Sequence, residues 1–131
     1  MQAAFLVECN STLMDVKFSR WQYGPVSSDV YFNFNNNGAS QITKAATVLN
    51  LEEFSFSQPK IENIPAGVEQ QLRGYLDTLL THSASDLVQA THKESIWSDY
   101  KKEIDLKMAP DYTNEEIRDY FNQNEEERIW A

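Results

Sequence analysis

The most regular hydrophobic pattern in the chain begins at Pro65, and it constrains the fold more than any other feature. Apolar residues recur at spacings of three and four at Val68, Leu72, Tyr75, Leu76, Leu79 and Leu80. This spacing places them on one face of an α-helix, and proline is favoured in the first turn of a helix. The sequence therefore predicts an amphipathic helix from about residue 65, with one face packed on a core.

Two capping signals predict two more helices. Residues 83–86 (SASD) resemble a capping box with Asp in place of the usual Glu, and residues 113–116 (TNEE) form a complete one. In such a box the hydroxyl accepts a hydrogen bond from the third helical amide, and the carboxylate bonds back to the first residue's amide. The residues that we expect these helices to bury are Leu87, Val88, Thr91, Ile117, Tyr120 and Phe121.

The remaining segments complete a mainly α fold. Residues 1–9 are apolar around their circumference and predict a buried helix that ends near Asn10 and Ser11. Residues 95–104 predict another amphipathic helix. Around residues 40–62 the alternation of apolar and polar residues, interrupted by Pro59, fits either a short strand or an ordered loop. The prediction is a compact single-domain fold of about five or six helices.

One further helix is predicted after the Gly24-Pro25 pair, over residues 26–34. It would carry Val26, Val30, Tyr31 and Phe34 on its inward face, whereas Phe32 lies off that face and is a candidate for partner contact. The aromatic run in this segment leaves a strand as the alternative. Trp21 and Trp97 are the two largest candidates for core anchors.

Length and charge limit the classes of partner. A chain of 131 residues suits one domain, which we place at residues 1–123, followed by an acidic tail at residues 124–131. The net charge of -9 is unfavourable for nucleic acid or an anionic membrane, and it favours a protein partner with a basic surface. The other interpretation is that the acidity only keeps the protein in solution. In the tail, Ile129 and Trp130 are candidate partner contacts because tryptophan is common at interface hot spots; Trp130 either folds back on the domain or anchors a partner.

The residues that could carry chemistry are few. Cys9 is the one cysteine, which fits a reducing cytoplasm; its apolar surroundings predict a buried structural thiol. His82 precedes a capped helix and is predicted to lie in a loop. His92 and Glu94 could bind a metal or act as an acid–base pair, but we favour a structural role for Thr91, His92 and Glu94 in satisfying backbone groups between two helices. We predict no catalytic residue, metal or cofactor.

Two motifs together resemble the Panacea, or SocA-like, antitoxin domain. The first is Trp21-Gln22-Tyr23-Gly24-Pro25-Val26 with Tyr31 after it, which is similar to the family's A-W-x-x-G-P-V element and the tyrosine that follows it. The second, Thr91-His92-Lys93-Glu94-Ser95-Ile96-Trp97, is similar to the family's T-H-x-E-x-P-W. Two residues depart from these motifs: Arg20 stands where alanine is common, and Ile96 where proline is usual.

The resemblance implies a non-catalytic helical protein that binds a cognate toxin directly and blocks it or presents it for proteolysis. It makes the motif residues a structural or partner-binding set: Trp21, Gly24, Pro25, Val26, Tyr31, Thr91, His92, Glu94 and Trp97. The family's first helix, rich in Leu and Lys, has no counterpart before Met1, so we expect a partner or a homodimer mate to cover that side of the core. The alternatives are a phage-encoded regulator of a host protein and a metal-dependent enzyme that uses His92 and Glu94.

Overall fold

A computed structural model describes residues 1–45, 47–58 and 63–131 of the chain. In these ranges there are seven α-helices and two antiparallel two-stranded sheets. The helices are α1 (Gln2–Cys9), α2 (Ser28–Phe34), α3 (Ala66–Leu79), α4 (Ala84–Lys93), α5 (Ser95–Ser98), α6 (Lys101–Asp105) and α7 (Asn114–Gln123). The predicted mainly α fold is confirmed.

The two sheets are hairpins of three-residue strands. The first pairs β1 (Ser19–Trp21) with β2 (Gly24–Val26). The second pairs β3 (Val48–Asn50) with β4 (Ser55–Ser57). The second hairpin lies in the segment for which the sequence allowed a short strand or an ordered loop, and short strands are what form there. Pro59 and Ile61, which entered that prediction, lie outside the described residues.

The core forms where α1 packs on α7. Ala4 and Leu6 of α1 are 0% and 4% exposed, so the predicted burial of this apolar helix is confirmed. The helix ends at Cys9, and Asn10 after it adopts a left-handed conformation with φ 49° that asparagine tolerates at a helix end. The other buried hydrophobic residues are Tyr75, Trp97, Ile104, Tyr112, Ile117, Phe121 and Trp130.

Both predicted capping boxes are present and fix the starts of α4 and α7. The Asp86 amide donates to the Ser83 hydroxyl over 3.1 Å, and the Ser83 amide donates to the Asp86 carboxylate over 2.8 Å. The same reciprocal pair joins Thr113 and Glu116, over 3.1 and 3.4 Å. The hydrogen bonds from Ser83 lower the pKa of Asp86, because they favour its charged form.

The Gly24-Pro25 pair was expected to open a helix and instead forms a strand. A two-residue turn at Gln22 and Tyr23 pairs Trp21 with Gly24, so α2 begins only at Ser28. The predicted inward face of α2 is also wrong, since Val30 is 59% exposed and Tyr31 is 41% exposed. Tyr31 packs on Trp21 of the hairpin and not in the core.

For Trp130 in the C-terminal tail, the sequence left two alternatives open, and the indole folds back on the domain. Trp130 is 6% exposed and packs edge-to-face on Phe121, with ring centroids 4.9 Å apart. Arg128 donates from Nε to the Phe121 carbonyl oxygen over 2.8 Å and holds this segment on α7. Ile129 is partly buried against the same core. Burial of the large indole surface outweighs the acidic character of its neighbours.

The α3 helix is confirmed, but its apolar face is only partly covered. Tyr75 is buried, whereas Leu76 and Leu80 are 43% and 72% exposed. The contact with α1 is polar here, because the Tyr75 hydroxyl donates to the Glu8 carboxylate. No helix in the described parts of the chain is both long enough and apolar enough to cross a bilayer.

Candidate functional site

The two motifs of the sequence meet in space along the β1–β2 hairpin. The indole Nε1–H of Trp97 donates to the Trp21 carbonyl oxygen over 2.9 Å. Nε2 of His92 lies 2.8 Å from the Gln22 carbonyl oxygen; since a carbonyl oxygen only accepts, this ring nitrogen carries the proton. Residues about 70 positions apart are therefore joined by side chains of one motif that hold the backbone of the other. We call this set of contacts, made by His92 and Trp97 with the hairpin, the clasp.

Gly24 allows the hairpin to approach α4 closely. Its φ is +121°, a conformation that residues with a side chain rarely adopt. A Cβ atom at this position would lie 3.1 Å from Cγ2 of Thr91. Both backbone conformation and space therefore require glycine here, and Thr91 of the second motif is what fills the space.

The two tryptophans of the motifs have different roles. Trp97 is 4% exposed, so its predicted role as a core anchor is confirmed, and its ring stacks on that of His92 with centroids 4.0 Å apart. Trp21 is 38% exposed, and the same prediction is wrong for it. The backbone carbonyl of Trp21 enters the clasp, while its side chain turns toward Tyr31 at the surface.

Arg20 is the residue at this site that sequence reasoning missed. Only 4% of it is exposed. Its Nε donates to the Ile96 carbonyl oxygen over 2.7 Å, and its Nη1 donates to the carbonyl oxygens of Pro110 and Asp111 over 2.8 and 3.1 Å. The guanidinium thus ties β1 to the α5 helix and to the segment before α7. An arginine between Ser19 and Trp21 in a strand was the available signal, but its partners are 76 to 96 positions away.

The charge of Arg20 is balanced and its faces are covered. Nη2 forms an ion pair with Glu116, whose second carboxylate oxygen serves the capping box of α7. The guanidinium carbon lies 4.0 Å from the ring centroid of Tyr100 and 4.1 Å from that of Tyr112. Because a buried guanidinium is costly unless it is paired and hydrogen-bonded, this complete set of partners makes Arg20 the centre of the packing between the hairpin and α7.

His92 and Glu94 have different surroundings. His92 faces the hairpin, while Glu94 lines a cavity of about 280 Å³ together with Tyr112 and Trp130. Burial, and secondarily the charge of Glu127, raises the pKa of Glu94 to about 8, so this carboxyl is mostly protonated at pH 7. Metals bind the carboxylate form. Within residues 1–45, 47–58 and 63–131, no group of three His, Cys, Asp or Glu side chains is placed to share a metal ion.

His92 contacts the Gln22 carbonyl oxygen in the turn of the hairpin and not a backbone group between two helices, which was the role predicted for it. His82 lies between α3 and α4, as expected. Cys9 is exposed, so the predicted buried thiol is wrong. It is the last residue of α1, where the chain leaves the core, and its Sγ lies 3.5 Å from the Gln71 side-chain oxygen.

Four aromatic side chains next to the clasp are open to solvent. Trp21, Tyr23, Tyr31 and Phe32 are 38%, 77%, 41% and 67% exposed, and we call them the aromatic surface. Trp21 and Tyr31 meet edge-to-face with centroids 4.8 Å apart, as do Tyr31 and Phe32 at 5.3 Å. The predicted exposure of Phe32 is confirmed. Trp21, Tyr23 and Tyr31 also line a groove of about 970 Å³, which Ile104 and Ala109 line as well.

Comparison with known proteins identifies the family. No curated protein and no solved structure matches the chain. The family model described as "Antitoxin SocA-like, Panacea domain" matches residues 1–98, three quarters of the chain, including the β1–β2 hairpin and both motifs of the clasp. Membership of an antitoxin family suggests a non-catalytic role and a protein partner such as a toxin. The chain belongs to the SocA-like antitoxin family that is defined by the Panacea domain.

Proposed function

We propose that this chain is an antitoxin that neutralises a cognate toxin by direct protein–protein contact. The observation that carries the proposal is the family match over residues 1–98. The geometry of the second motif supports it, because His92 and Trp97 bond to the hairpin backbone. His92, one of the two residues that looked like an acid–base or metal pair, thus holds the hairpin in place.

Charge indicates the kind of toxin. The net charge of -9 attracts a partner with a basic surface and raises the rate of encounter. Once the partner is in place, exposed apolar and aromatic side chains would supply most of the affinity. Presentation of the bound toxin to a protease is a further possible outcome of the same contact, and toxin half-life in cells with and without the chain measures it.

Co-expression tests the proposal. The gene next to the one for this chain is expressed alone and together with the chain, growth is followed, and a complex is isolated by pull-down and sized. We expect growth arrest by the neighbour, relief by the chain, and a stoichiometric complex. A neighbour that is harmless, or relief without a complex, contradicts neutralisation by contact.

A pair of variants tests whether neutralisation requires the intact packing around the clasp. Arg73→Met changes an exposed ion pair with Glu69 on α3 and should neutralise the toxin like the parent chain. Arg20→Met breaks the packing behind the hairpin and should lose neutralisation together with stability. Equal activity of both variants would mean that the region around the clasp has no part in binding.

A further inference from the structure

The backbone of the β1–β2 hairpin, which carries Trp21 and Tyr23 of the aromatic surface, is held in place by the clasp. Trp21 and Gln22 each give a carbonyl oxygen to the clasp, and Gly24 packs on Thr91. The backbone that carries Trp21 and Tyr23 is therefore anchored at the surface. A surface that is ordered before binding loses little conformational entropy when a partner docks.

The exposed rings leave π-faces available to a ligand. Trp21, Tyr31 and Phe32 meet one another through edge-to-face contacts, so part of each ring face remains open. Aromatic faces attract cations, and arginine engages them more often than lysine because its flat guanidinium stacks on a ring. The fold already makes this contact internally, where the guanidinium of Arg20 lies between the rings of Tyr100 and Tyr112.

The charges near the aromatic surface agree with a cationic ligand. Three charged residues line the groove: Lys107 and Asp111, whose charges are opposite, and Arg20, whose charge is balanced by Glu116. Asp29, in the first turn of α2, adds a negative charge on the helix that carries Tyr31 and Phe32. Together with the net charge of -9, this gives a local and an overall preference for positive ligands.

We infer that the aromatic surface and its groove dock a segment of the toxin that presents arginine side chains between apolar ones. This inference rests on the proposed function and gives it a contact surface. It also moves the aromatic contact from Trp130, which is buried in the core, to Trp21, Tyr23, Tyr31 and Phe32. Arginine supplies the stacking cation, and the apolar neighbours fill the groove between Trp21 and Ile104.

Binding of defined peptides to the full chain is the direct test. The probes are three blocked pentapeptides that alternate leucine with arginine, with lysine, or with glutamate. Aromatic NMR signals of the chain report where each peptide binds. We expect the arginine peptide to shift signals of Trp21, Tyr23 and Phe32 and to bind about three- to fivefold more tightly than the lysine peptide, with the glutamate peptide weakest. Equal affinity for all three, or shifts centred elsewhere, would overturn the inference.

Paired variants show which chemistry matters. The double variant Tyr23→Ala, Phe32→Ala should bind the arginine peptide about tenfold more weakly. The matched control, Leu51→Ala with Phe54→Ala, truncates two side chains that are 72% and 84% exposed on the other hairpin and should bind normally. Phe32→Leu keeps an apolar side chain but removes the π-face, so it should reduce the preference for arginine over lysine. If the control loses as much affinity as the double variant, the surface is not the docking site.

Rescue from the toxin distinguishes failure of the surface from failure of the function. If the parent chain neutralises a toxin and Tyr23→Ala, Phe32→Ala does so equally well, the antitoxin role stands and the docking surface is wrong. If the parent chain neutralises no toxin but the arginine peptide still binds at the aromatic surface, the surface stands and the antitoxin role is wrong. Circular dichroism and the melting temperature confirm that each variant is folded.

Discussion

The two hairpins of this protein have the same strand pairing but different tertiary contacts. Each pairs two antiparallel strands of three residues. The β1–β2 hairpin is held by the clasp and by Arg20. The β3–β4 hairpin has an exposed β4 strand and exposed apolar side chains at Leu49, Leu51, Phe54 and Phe56.

The difference shows that tertiary contacts, more than strand pairing, determine the stability of such short elements. An isolated two-stranded hairpin is marginal in water. The first hairpin has hydrogen bonds from α4 and α5 to its backbone and a buried cation beneath it. We therefore expect the two hairpins to respond very differently to mutation, and the following predictions run from the largest effect to the smallest.

Replacing the buried cation should cause the largest loss. Arg20→Met leaves the carbonyls of Ile96 and Pro110 and the carboxylate of Glu116 without their donor. We expect the free energy of unfolding to fall by about 3–5 kcal/mol, measured by urea denaturation. Arg73→Met, at an exposed ion pair, should cost less than about 0.5 kcal/mol. Similar losses for the two variants would refute the special role of Arg20.

Adding a methyl group at the hairpin glycine should have the next largest effect. Gly24→Ala must adopt φ near +121° and must displace Thr91, at a cost of about 2–4 kcal/mol. Gly38→Ala is the matched control, because its φ is also positive but no atom lies within 4 Å of the added Cβ. It should cost about 1–2 kcal/mol, because φ 55° with ψ -129° is also unfavourable for a residue with a Cβ atom. Thermal or urea unfolding measures both, and the difference between them isolates the contact with Thr91.

The free energy of unfolding should also depend on pH, through the buried carboxyl of Glu94. Glu94 has a pKa raised from 4.5 to about 8 by burial and by Glu127, so the folded state holds a proton that the unfolded state releases above about pH 4.5. The contribution of this group to stability therefore decreases as pH rises from about 4.5 through 8. Glu94→Gln stays neutral and should be more stable than the parent chain by about 1–2 kcal/mol at pH 8.5, with no gain at pH 4.

Denaturation curves of the parent chain and Glu94→Gln, measured from pH 4 to 9, check this prediction. The stability difference between the two proteins removes the contribution of the other titrating groups. If the two curves run parallel over the whole range, Glu94 is ionised in the folded state and the prediction is wrong.

Truncation on the second hairpin should have the smallest effect. Phe56 is 74% exposed, so Phe56→Ala should change the free energy of unfolding by no more than about 0.5 kcal/mol. Hydrogen exchange sharpens the contrast, because amides of β1–β2 should be protected to nearly the global stability and those of β3–β4 should exchange by local opening. Equal protection in both hairpins would remove the distinction between them.

The sequence predicted correctly the features that depend on residues close together in the chain. Both capping boxes involve residues three positions apart, and the burial of α1 follows from its own composition. The clasp required contacts between Trp21 and Trp97, 76 positions apart, which periodicity cannot reveal. The family resemblance supplied both motifs but not their contact, and it presented Arg20 only as a departure.

The errors share a physical cause. Trp130 was named as a candidate partner contact, whereas it is buried against Phe121 on α7. Tyr31 was assigned to the core from helical spacing, but α2 begins after the hairpin and packs on Trp21. For both side chains, a contact with a residue outside the short segment considered determined how much of the ring is buried.

The partners of Arg20 also determine how short a fragment of the chain can be and still keep its packing. The family match ends at Ser98, whereas the rings of Tyr100 and Tyr112 and the carboxylate of Glu116 lie beyond it. A fusion that carried residues 1–98 alone would uncover the guanidinium and remove α7 from its place on α1. The part of this chain that matches the family model is therefore smaller than the part that we expect to fold as a unit, and grafting the aromatic surface onto another protein requires the chain through at least α7.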